Sequence, residues 1–180
     1  MLLVAGAAAG AEAAPPDAQT LADTLLPRPR HVTLTGGFLS LRRAKPRVQL
    51  PAGPEHEATR EAVLSALQAA GAVAEVGAAR GRRVRFTVGE GSEALPLPTE
   101  GWAEEAYTMT VGPRGISATA ASPAGLLHAA QTLRQIVRLY SPTGRIPCLR
   151  IADSLDFRLR GIYIEGGQER FGRIVTKPYL

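Results

Sequence analysis

The stretch ASPAGLLHAAQTLRQIVRLY, residues 121–140, decides the fold. Ser122 is suited to cap a helix with its hydroxyl, and Pro123 to the first helical position, where no N–H is needed. Six apolar residues then recur at helical spacing, and together they predict one buried face: Leu126, Ala129, Ala130, Leu133, Ile136 and Val137. Burying their side chains contributes on the order of 10 kcal/mol before the loss of conformational entropy is counted.

A polar row runs along the other side of this helix, formed by His128, Gln131, Gln135 and Arg138. Such a row could hold a ligand. Far more often it is the solvated or domain-facing side of a core helix, and we interpret it in that way.

Composition points to a soluble globular class. The chain has 180 residues, which is enough for one domain with a real core and a small appendage. Of its residues, 45% are hydrophobic and 21% are charged, as is ordinary for a globular protein. The net charge of +5 raises the question of nucleic acid, since arginines cluster early and again at Arg80–Arg85. Neither interleaved aromatics nor a recognisable nucleic-acid motif accompanies them, so we expect no nucleic-acid partner.

Metal, cofactor and membrane sites have weak support in the sequence. Cys148 is the single cysteine, and the three histidines stand far apart without metal-binding spacing. We therefore predict no metal and no cofactor. No apolar run approaches the length of a membrane span.

The N-terminus resembles the back half of a secretory signal peptide. Residues 1–14 are small and apolar, and Ala11–Ala13 is typical of a cleavage site. A disordered alanine-rich tail is the alternative interpretation. We assign residues 1–25 to a signal-like or disordered leader and expect a secreted or periplasmic protein.

Strand and turn patterns fill much of the remaining chain. Gly36-Gly37 predicts a hairpin between His31–Thr35 and Phe38–Leu41, and Gly112–Gly115 predicts another between Ala106–Val111 and Ile116–Ala120. Further strands are predicted at Arg47–Leu50, Val73–Val76, Arg83–Val88, Pro147–Ile151 and Arg158–Glu165.

A second helix is predicted at Glu55–Ala70, with a buried face near Ala58, Ala62, Leu64 or Ser65, and Ala69. The arginines of the strand Arg83–Val88 alternate with its apolar residues, which indicates a solvated face. Hairpins combined with two separated helices predict an α+β domain, with a mostly antiparallel sheet and two helices on one of its faces.

Several segments together resemble the accessory domain that precedes the catalytic barrel in glycoside hydrolase family 20, the β-N-acetylhexosaminidases. Their order and spacing carry the resemblance, over residues 26–165. The segments are Leu26–Pro29 with Gly37-Phe38, Glu105–Tyr107 with Gly115-Ile116, Ala124–Leu126, Gln131–Gln135, Ile146-Pro147, Ile151–Asp153 and Phe157–Gly161.

The resemblance implies that residues 26–156 form the accessory domain and that residues 157–180 begin a truncated (β/α)₈ barrel, whose first strand opens at Arg160-Gly161. Family 20 proteins use an adjacent Asp-Glu pair farther along that barrel. The Glu protonates the leaving oxygen, and the Asp orients the acetamido group that attacks the anomeric carbon. This sequence contains no adjacent Asp-Glu pair, so we predict no catalytic residue and no activity for the chain alone.

The resemblance also implies where substrate would bind. In the family, an Asp and a sugar-gripping Arg follow the first barrel strand. Here Glu165 stands in place of the Asp, Gln168 in place of the Arg, and Arg170 lies two residues later. Because ligand sites gather at the C-terminal ends of barrel strands, we take Glu165, Gln168 and Arg170 as substrate-binding candidates. An ordinary polar loop is the alternative.

The function implied is that of a non-catalytic N-terminal domain in a β-N-acetylhexosaminidase-like glycoside hydrolase. Its partners would be its own downstream barrel and, through that barrel, a glycan. Two alternatives stay open. Ile164–Gly166 is similar to the first barrel strand of family 84, another N-acetylglucosaminidase group, and the chain could also be a stand-alone carbohydrate-binding or interaction module.

Overall fold

A computed structural model describes residues 17–73, 75–76, 82–89, 91–92, 95–99 and 101–158. Three α-helices lie in this part of the chain: α1 (Ala18–Thr24), α2 (Glu57–Ala69) and α3 (Pro123–Tyr140). The strands there are β1 (His31–Leu39), β2 (Arg47–Gln49), β3 (Glu75–Val76), β4 (Arg83–Val88), β5 (Gly91–Ser92), β6 (Leu95–Pro96), β7 (Trp102–Gly112), β8 (Gly115–Ala120) and β9 (Ile146–Leu155).

One mixed sheet organises the domain, in the order β1-β9-β7-β8-β4-β2-β3. The ladders β1–β9, β9–β7 and β7–β8 are antiparallel, whereas β8–β4, β4–β2 and β2–β3 are parallel. Most paired residues belong to the antiparallel ladders, so the predicted α+β class and mostly antiparallel sheet are confirmed. The β2–β3 ladder is parallel because α2 carries the chain from β2 back to the same end of the sheet, as a parallel connection requires.

Helix α3 lies over the sheet as its sequence predicts. The Ser122 hydroxyl accepts a hydrogen bond from the backbone N–H of Gly125 at 3.2 Å. All six predicted core residues are buried, and α3 packs against α2 on one side and against β7 and β8 on the other.

Gly125 sets how closely α3 approaches the sheet. A Cβ atom at this position would lie 2.8 Å from the backbone oxygen of Glu105 and 2.9 Å from that of Ala106. Both atoms belong to the backbone of β7, and the Ala106 oxygen also accepts a hydrogen bond from the Ala121 N–H at 2.9 Å. Glycine is therefore required here by a close backbone approach.

The predicted hairpin at Gly36-Gly37 is wrong. Residues 31–39 form one strand, β1, paired with β9, and its register shifts between Leu34 and Phe38. The two glycines have φ angles of +79° and +81°. Positive φ serves a β-bulge as well as a turn, which is why the local sequence could not separate the two. The second hairpin is confirmed, because Gly112 pairs with Gly115 across a two-residue turn.

The predicted face of α2 is also largely wrong. Of the alanines assigned to it, only Ala62 is buried, and Val63, Ala66 and Leu67 complete the core face with Thr59. In an alanine-rich helix the branched residues decide the orientation, because they bury most apolar area.

The folded domain begins before residue 26, which corrects the assigned leader of 1–25. Asp17 caps α1 by accepting a hydrogen bond from the Thr20 backbone at 2.7 Å. Leu21 and Leu25 are fully buried in the same core as α2 and α3. Residues 17–25 therefore belong to the domain, and α1 is a third helix in addition to the two predicted ones.

None of the helices that the structure describes is long and apolar enough to cross a membrane. The predicted strand Arg158–Glu165 lies, beyond its first residue, outside the described part of the chain.

We predict that Leu133→Ala lowers the free energy of unfolding by roughly 2–5 kcal/mol, because truncating a buried leucine leaves a cavity. Leu133 is 0% exposed. Gln131→Ala on the exposed side of α3 is the matched control and should change it by less than about 0.5 kcal/mol. Chemical denaturation measures both, and equal losses would show that the faces of α3 are assigned wrongly.

We predict that Gly125→Ala destabilises the domain by roughly 1–3 kcal/mol, since the added methyl group would overlap the β7 backbone. Alanine favours a helix interior by about 1 kcal/mol over glycine, so a net loss isolates the steric effect. Gly89→Ala is the control, because a Cβ there meets no atom within 4 Å. A stabilised Gly125→Ala variant in a thermal melt would refute the close approach.

Candidate functional site

The substrate-binding candidates Glu165, Gln168 and Arg170 lie outside the described residues. The structure describes the point from which the chain leads toward them, at the end of β9.

A cluster around Arg30 holds this end of β9. The Arg30 backbone N–H donates to Asp153 Oδ1 at 3.1 Å, and its Nε donates to the Ser154 carbonyl at 3.2 Å. Its guanidinium also forms an ion pair with Asp156. One residue just before β1 thus holds Asp153 and Ser154 of β9 and also Asp156, just beyond the strand.

Asp153 is the buried carboxyl of the cluster, 5% exposed. It also accepts a hydrogen bond from the Tyr107 hydroxyl, which lies 2.7 Å from the hydroxyl oxygen of Thr132 on α3. Burial raises the pKa of Asp153, and hydrogen bonds from Arg30 and Tyr107 partly oppose that rise. Burial and the neighbouring carboxylate likewise raise the pKa of Tyr107 far above its usual value, so this hydroxyl stays protonated.

The small cavity beside this cluster has a volume of about 170 Å³ and is bordered by Pro27, Arg28 and the end of β9. Ligand pockets usually enclose roughly 300–1,000 Å³. A general acid must also reach the oxygen it protonates, whereas Asp153 is buried and Asp156 is paired with Arg30. The geometry favours an anchor for the outgoing chain over a catalytic centre.

The sequence analysis named Asp153 only within a segment of the family resemblance and predicted no role for it. Its alternation with Leu149 and Ile151 places it on the apolar face of β9, and that pattern is the signal of a buried carboxyl.

Two residues of the polar row of α3 contact other elements of the domain. Gln135 donates to the Leu26 carbonyl at 2.7 Å and accepts from the Leu26 N–H at 2.9 Å, which ties α3 to the segment after α1. His128 Nε2 lies 2.8 Å from Glu105 Oε2. Gln131 and Arg138 are exposed. The interpretation of a solvated side thus holds for these two, while Gln135 and His128 connect elements.

The sheet face opposite the helices carries arginines and hydroxyls. Arg83 and Arg85 alternate along β4 with the buried Val84 and Phe86, as the sequence predicts for a solvated face. We call this surface the arginine face. It consists of Arg47, Gln49, Arg83, Arg85, Thr87, Thr108, Thr110, Arg114, Ser117, Thr119 and Arg150.

Within the part of the chain that the structure describes, no three metal-ligating side chains gather in one place.

Comparison with known proteins identifies the domain. The family model described as glycosyl hydrolase family 20, domain 2, matches residues 22–154. This range begins inside α1 and ends one residue before the end of β9, so it spans nearly the whole described fold. The chain belongs to this family.

Solved structures agree on the fold of the family 20 domain. CpGH84D superposes with a TM-score of 0.60 at 16% identity, over 72% of this chain and 23% of that protein. An inactive mutant of the GH20 exo β-N-acetylglucosaminidase from Vibrio harveyi superposes with a TM-score of 0.51 at 23% identity, over 74% of this chain and 19% of that protein. The N-acetyl-β-hexosaminidase of Streptomyces plicatus superposes with a TM-score of 0.50 at 24% identity, over 73% of this chain and 26% of that protein.

The chain therefore matches only about a fifth to a quarter of the length of these proteins. At such identities the likeness shows the fold alone. No curated protein matches the chain significantly.

We predict that Asp153→Asn changes how the stability of the domain depends on pH. The folded pKa of Asp153 lies above its ordinary 3.8, so the folded state holds the proton more tightly than the unfolded state. Stability should therefore fall as pH rises from about 3.8 through the raised pKa. The Asn variant lacks this titration, so the wild-type stability relative to the variant should be greatest at low pH and decline through this window.

Asp17→Asn is the contrasting control, since hydrogen bonds from Thr20 lower the pKa of the Asp17 carboxyl. Its contribution should grow as pH rises and vanish in acid. Urea unfolding between pH 3 and 7 gives both profiles. If the stability of the wild type relative to Asp153→Asn increased with pH, the result would contradict a buried Asp153 carboxyl that favours its protonated form.

Proposed function

We propose that this family 20 domain is the non-catalytic leading domain of a β-N-acetylhexosaminidase-like glycoside hydrolase, whose catalytic barrel follows it. The observation that carries the proposal is the family match over residues 22–154, nearly the entire described fold.

The cluster at Arg30 gives the leading domain a mechanical task. It fixes the direction in which the chain leaves β9, through one ion pair and two hydrogen bonds. A barrel starting a few residues later would thus begin from a defined position. This preorganisation matters because catalytic groups need placement to within a fraction of an ångström.

Substrate recognition belongs to the barrel in this proposal. Glu165, Gln168 and Arg170 would follow its first strand and contact the sugar, with carboxylate and amide oxygens accepting from hydroxyls and the guanidinium donating. A downstream Asp-Glu pair would supply the acid and orient the acetamido group of a terminal N-acetylhexosamine. The signal-like start of the chain supports a secreted or periplasmic setting.

Two other functions remain as alternatives. The superposition on CpGH84D favours a family 84-like enzyme on grounds of fold alone. A stand-alone carbohydrate-binding or interaction module is compatible with the domain having its own core. The match to family 20, domain 2, favours the first proposal over both.

We predict that the 180-residue chain does not hydrolyse a chromogenic β-N-acetylglucosaminide, because it contains no adjacent Asp-Glu pair. A polypeptide extended by the coding sequence downstream of Leu180 should release the chromophore. The control is that extended polypeptide with the Glu of its Asp-Glu pair changed to Gln, which should be inactive.

Turnover by the 180-residue chain above a heat-inactivated sample would refute the non-catalytic assignment. An inactive extended polypeptide that folds would refute the hexosaminidase assignment and favour a binding module.

A further inference from the structure

The arginine face concentrates positive charge on one side of a rigid sheet. Arg47 and Arg83 lie directly opposite each other in the parallel strands β2 and β4, and Arg85 follows two residues later. Neighbouring strands are about 4.8 Å apart, and alternate residues along a strand about 7 Å apart. These guanidinium groups therefore start from closely spaced points of one surface.

The arginines of this face are not held in ion pairs within the described part of the domain. Arg47, Arg83, Arg85, Arg114 and Arg150 form no ion pair with any described residue, in contrast to Arg28 and Arg30. The positions of the face on β2, β4, β7, β8 and β9 include no Asp or Glu, and Glu75 is the register partner of Arg47 on the edge strand β3. Arg83, Arg85, Arg114 and Arg150 are exposed. These four exposed arginines therefore concentrate positive charge on β4, β9 and the β7–β8 turn, and an anionic partner would complement it.

The shape of the surface suits an extended ligand. Arg47, Arg83 and Arg85 line one shallow depression, and Arg83 and Arg114 line a second one next to it. Arg83 is common to both, so the two depressions adjoin at this residue. We call the pair, which extends over β2, β4 and β8, the track. A polymer can follow such a track, whereas a small molecule would stay mostly in solvent.

Hydroxyl groups complete the chemistry of the track. Ser117 lies opposite Arg85 in the β4–β8 ladder and opposite Thr110 in the β7–β8 ladder. Guanidinium groups bind carboxylate and sulfate through paired N–H donors, and hydroxyls can donate to the remaining oxygens. Phe86 borders the first depression but is only 1% exposed, so it offers no stacking platform of the kind typical of proteins that bind single-stranded nucleic acid.

We propose that the arginine face binds an anionic polysaccharide, that is, a glycan polymer bearing carboxylate or sulfate groups. The track accounts for this occupant through its charge, its hydroxyls and its length. This role is separate from the proposed supporting role toward a barrel, and binding to the isolated chain tests it without any enzymatic readout.

We predict that the 180-residue chain binds polygalacturonate and heparin oligosaccharides at 50 mM salt, but not neutral dextran. The double variant Arg83→Gln/Arg85→Gln should lose at least tenfold in affinity for the anionic polymers. The dependence of log K on log salt should become shallower by one to two, as expected when two cationic contacts are lost. Isothermal titration calorimetry over a salt series measures both.

The matched control is Arg134→Gln/Arg138→Gln, which removes the same charge from the opposite, helical side of the domain. It should lose less than threefold, and thermal melts should show both double variants folded. Arg47→Gln alone is a second variant on the track and should weaken binding about threefold or more.

Several outcomes would overturn the proposal. These are no binding to either anionic polymer, equal losses in the two double variants, or tighter binding to a DNA duplex than to both polysaccharides under the same salt conditions. Without binding to either polymer, the surface would be a solvated sheet face. Equal losses in the two double variants would mean that binding depends only on net charge. Tighter binding to DNA would mean that the partner is a nucleic acid.

Discussion

The close contact between the start of α3 and the backbone of β7 is the constraint on which the rest of the domain depends. Gly125 lies against two β7 carbonyl groups without a side chain between them. The Ser122 cap and Pro123 fix the first turn at this place. Because the helix lies so close to the sheet, its buried residues, Leu126 and Leu133 among them, join one core with the apolar side chains of β7, β8 and β9.

Other elements take their positions from α3. Helix α2 packs along it, and Gln135 binds both backbone groups of Leu26, which sets the end of the segment carrying α1. Thr132 meets Tyr107, and Tyr107 meets Asp153, so a polar connection runs from α3 through β7 to the last residues of β9. Destabilising α3 would therefore loosen the chain exit as well as the core.

Sequence analysis succeeded where local pattern and tertiary role agree. Ser122, Pro123 and the stripe from Leu126 to Val137 predicted α3 and its buried side, because cap, propensity and periodicity all indicate one answer. It failed where one local signal serves two structures. Gly36 and Gly37 permit positive φ in a hairpin or a bulge, and only the pairing of β1 with the distant β9 decides between them.

The same reasoning explains the errors at α1 and α2. Alanine-rich segments have little apolar contrast, so their buried side is set by partners far away in sequence. The anchoring role of Arg30 was equally invisible, since its contacts join residues more than 120 positions apart. The candidates Glu165, Gln168 and Arg170 came from resemblance rather than geometry, and they stay predictions.

Charge is divided between the two faces of the sheet in a way that links binding to stability. Asp153, the buried carboxyl, lies on the helix-covered side and is held by hydrogen bonds, while the arginine face points away from the helices. Like charges directly opposite in neighbouring strands are destabilising. Arg47 and Arg83 stand in that relation, while Glu75 lies opposite Arg47 on the other side of β2. An anionic polymer on the track would relieve this repulsion in the folded state only. Since a ligand that binds the native state stabilises it in proportion to the logarithm of its concentration over Kd, occupancy of the arginine face should strengthen the very sheet that supports α3.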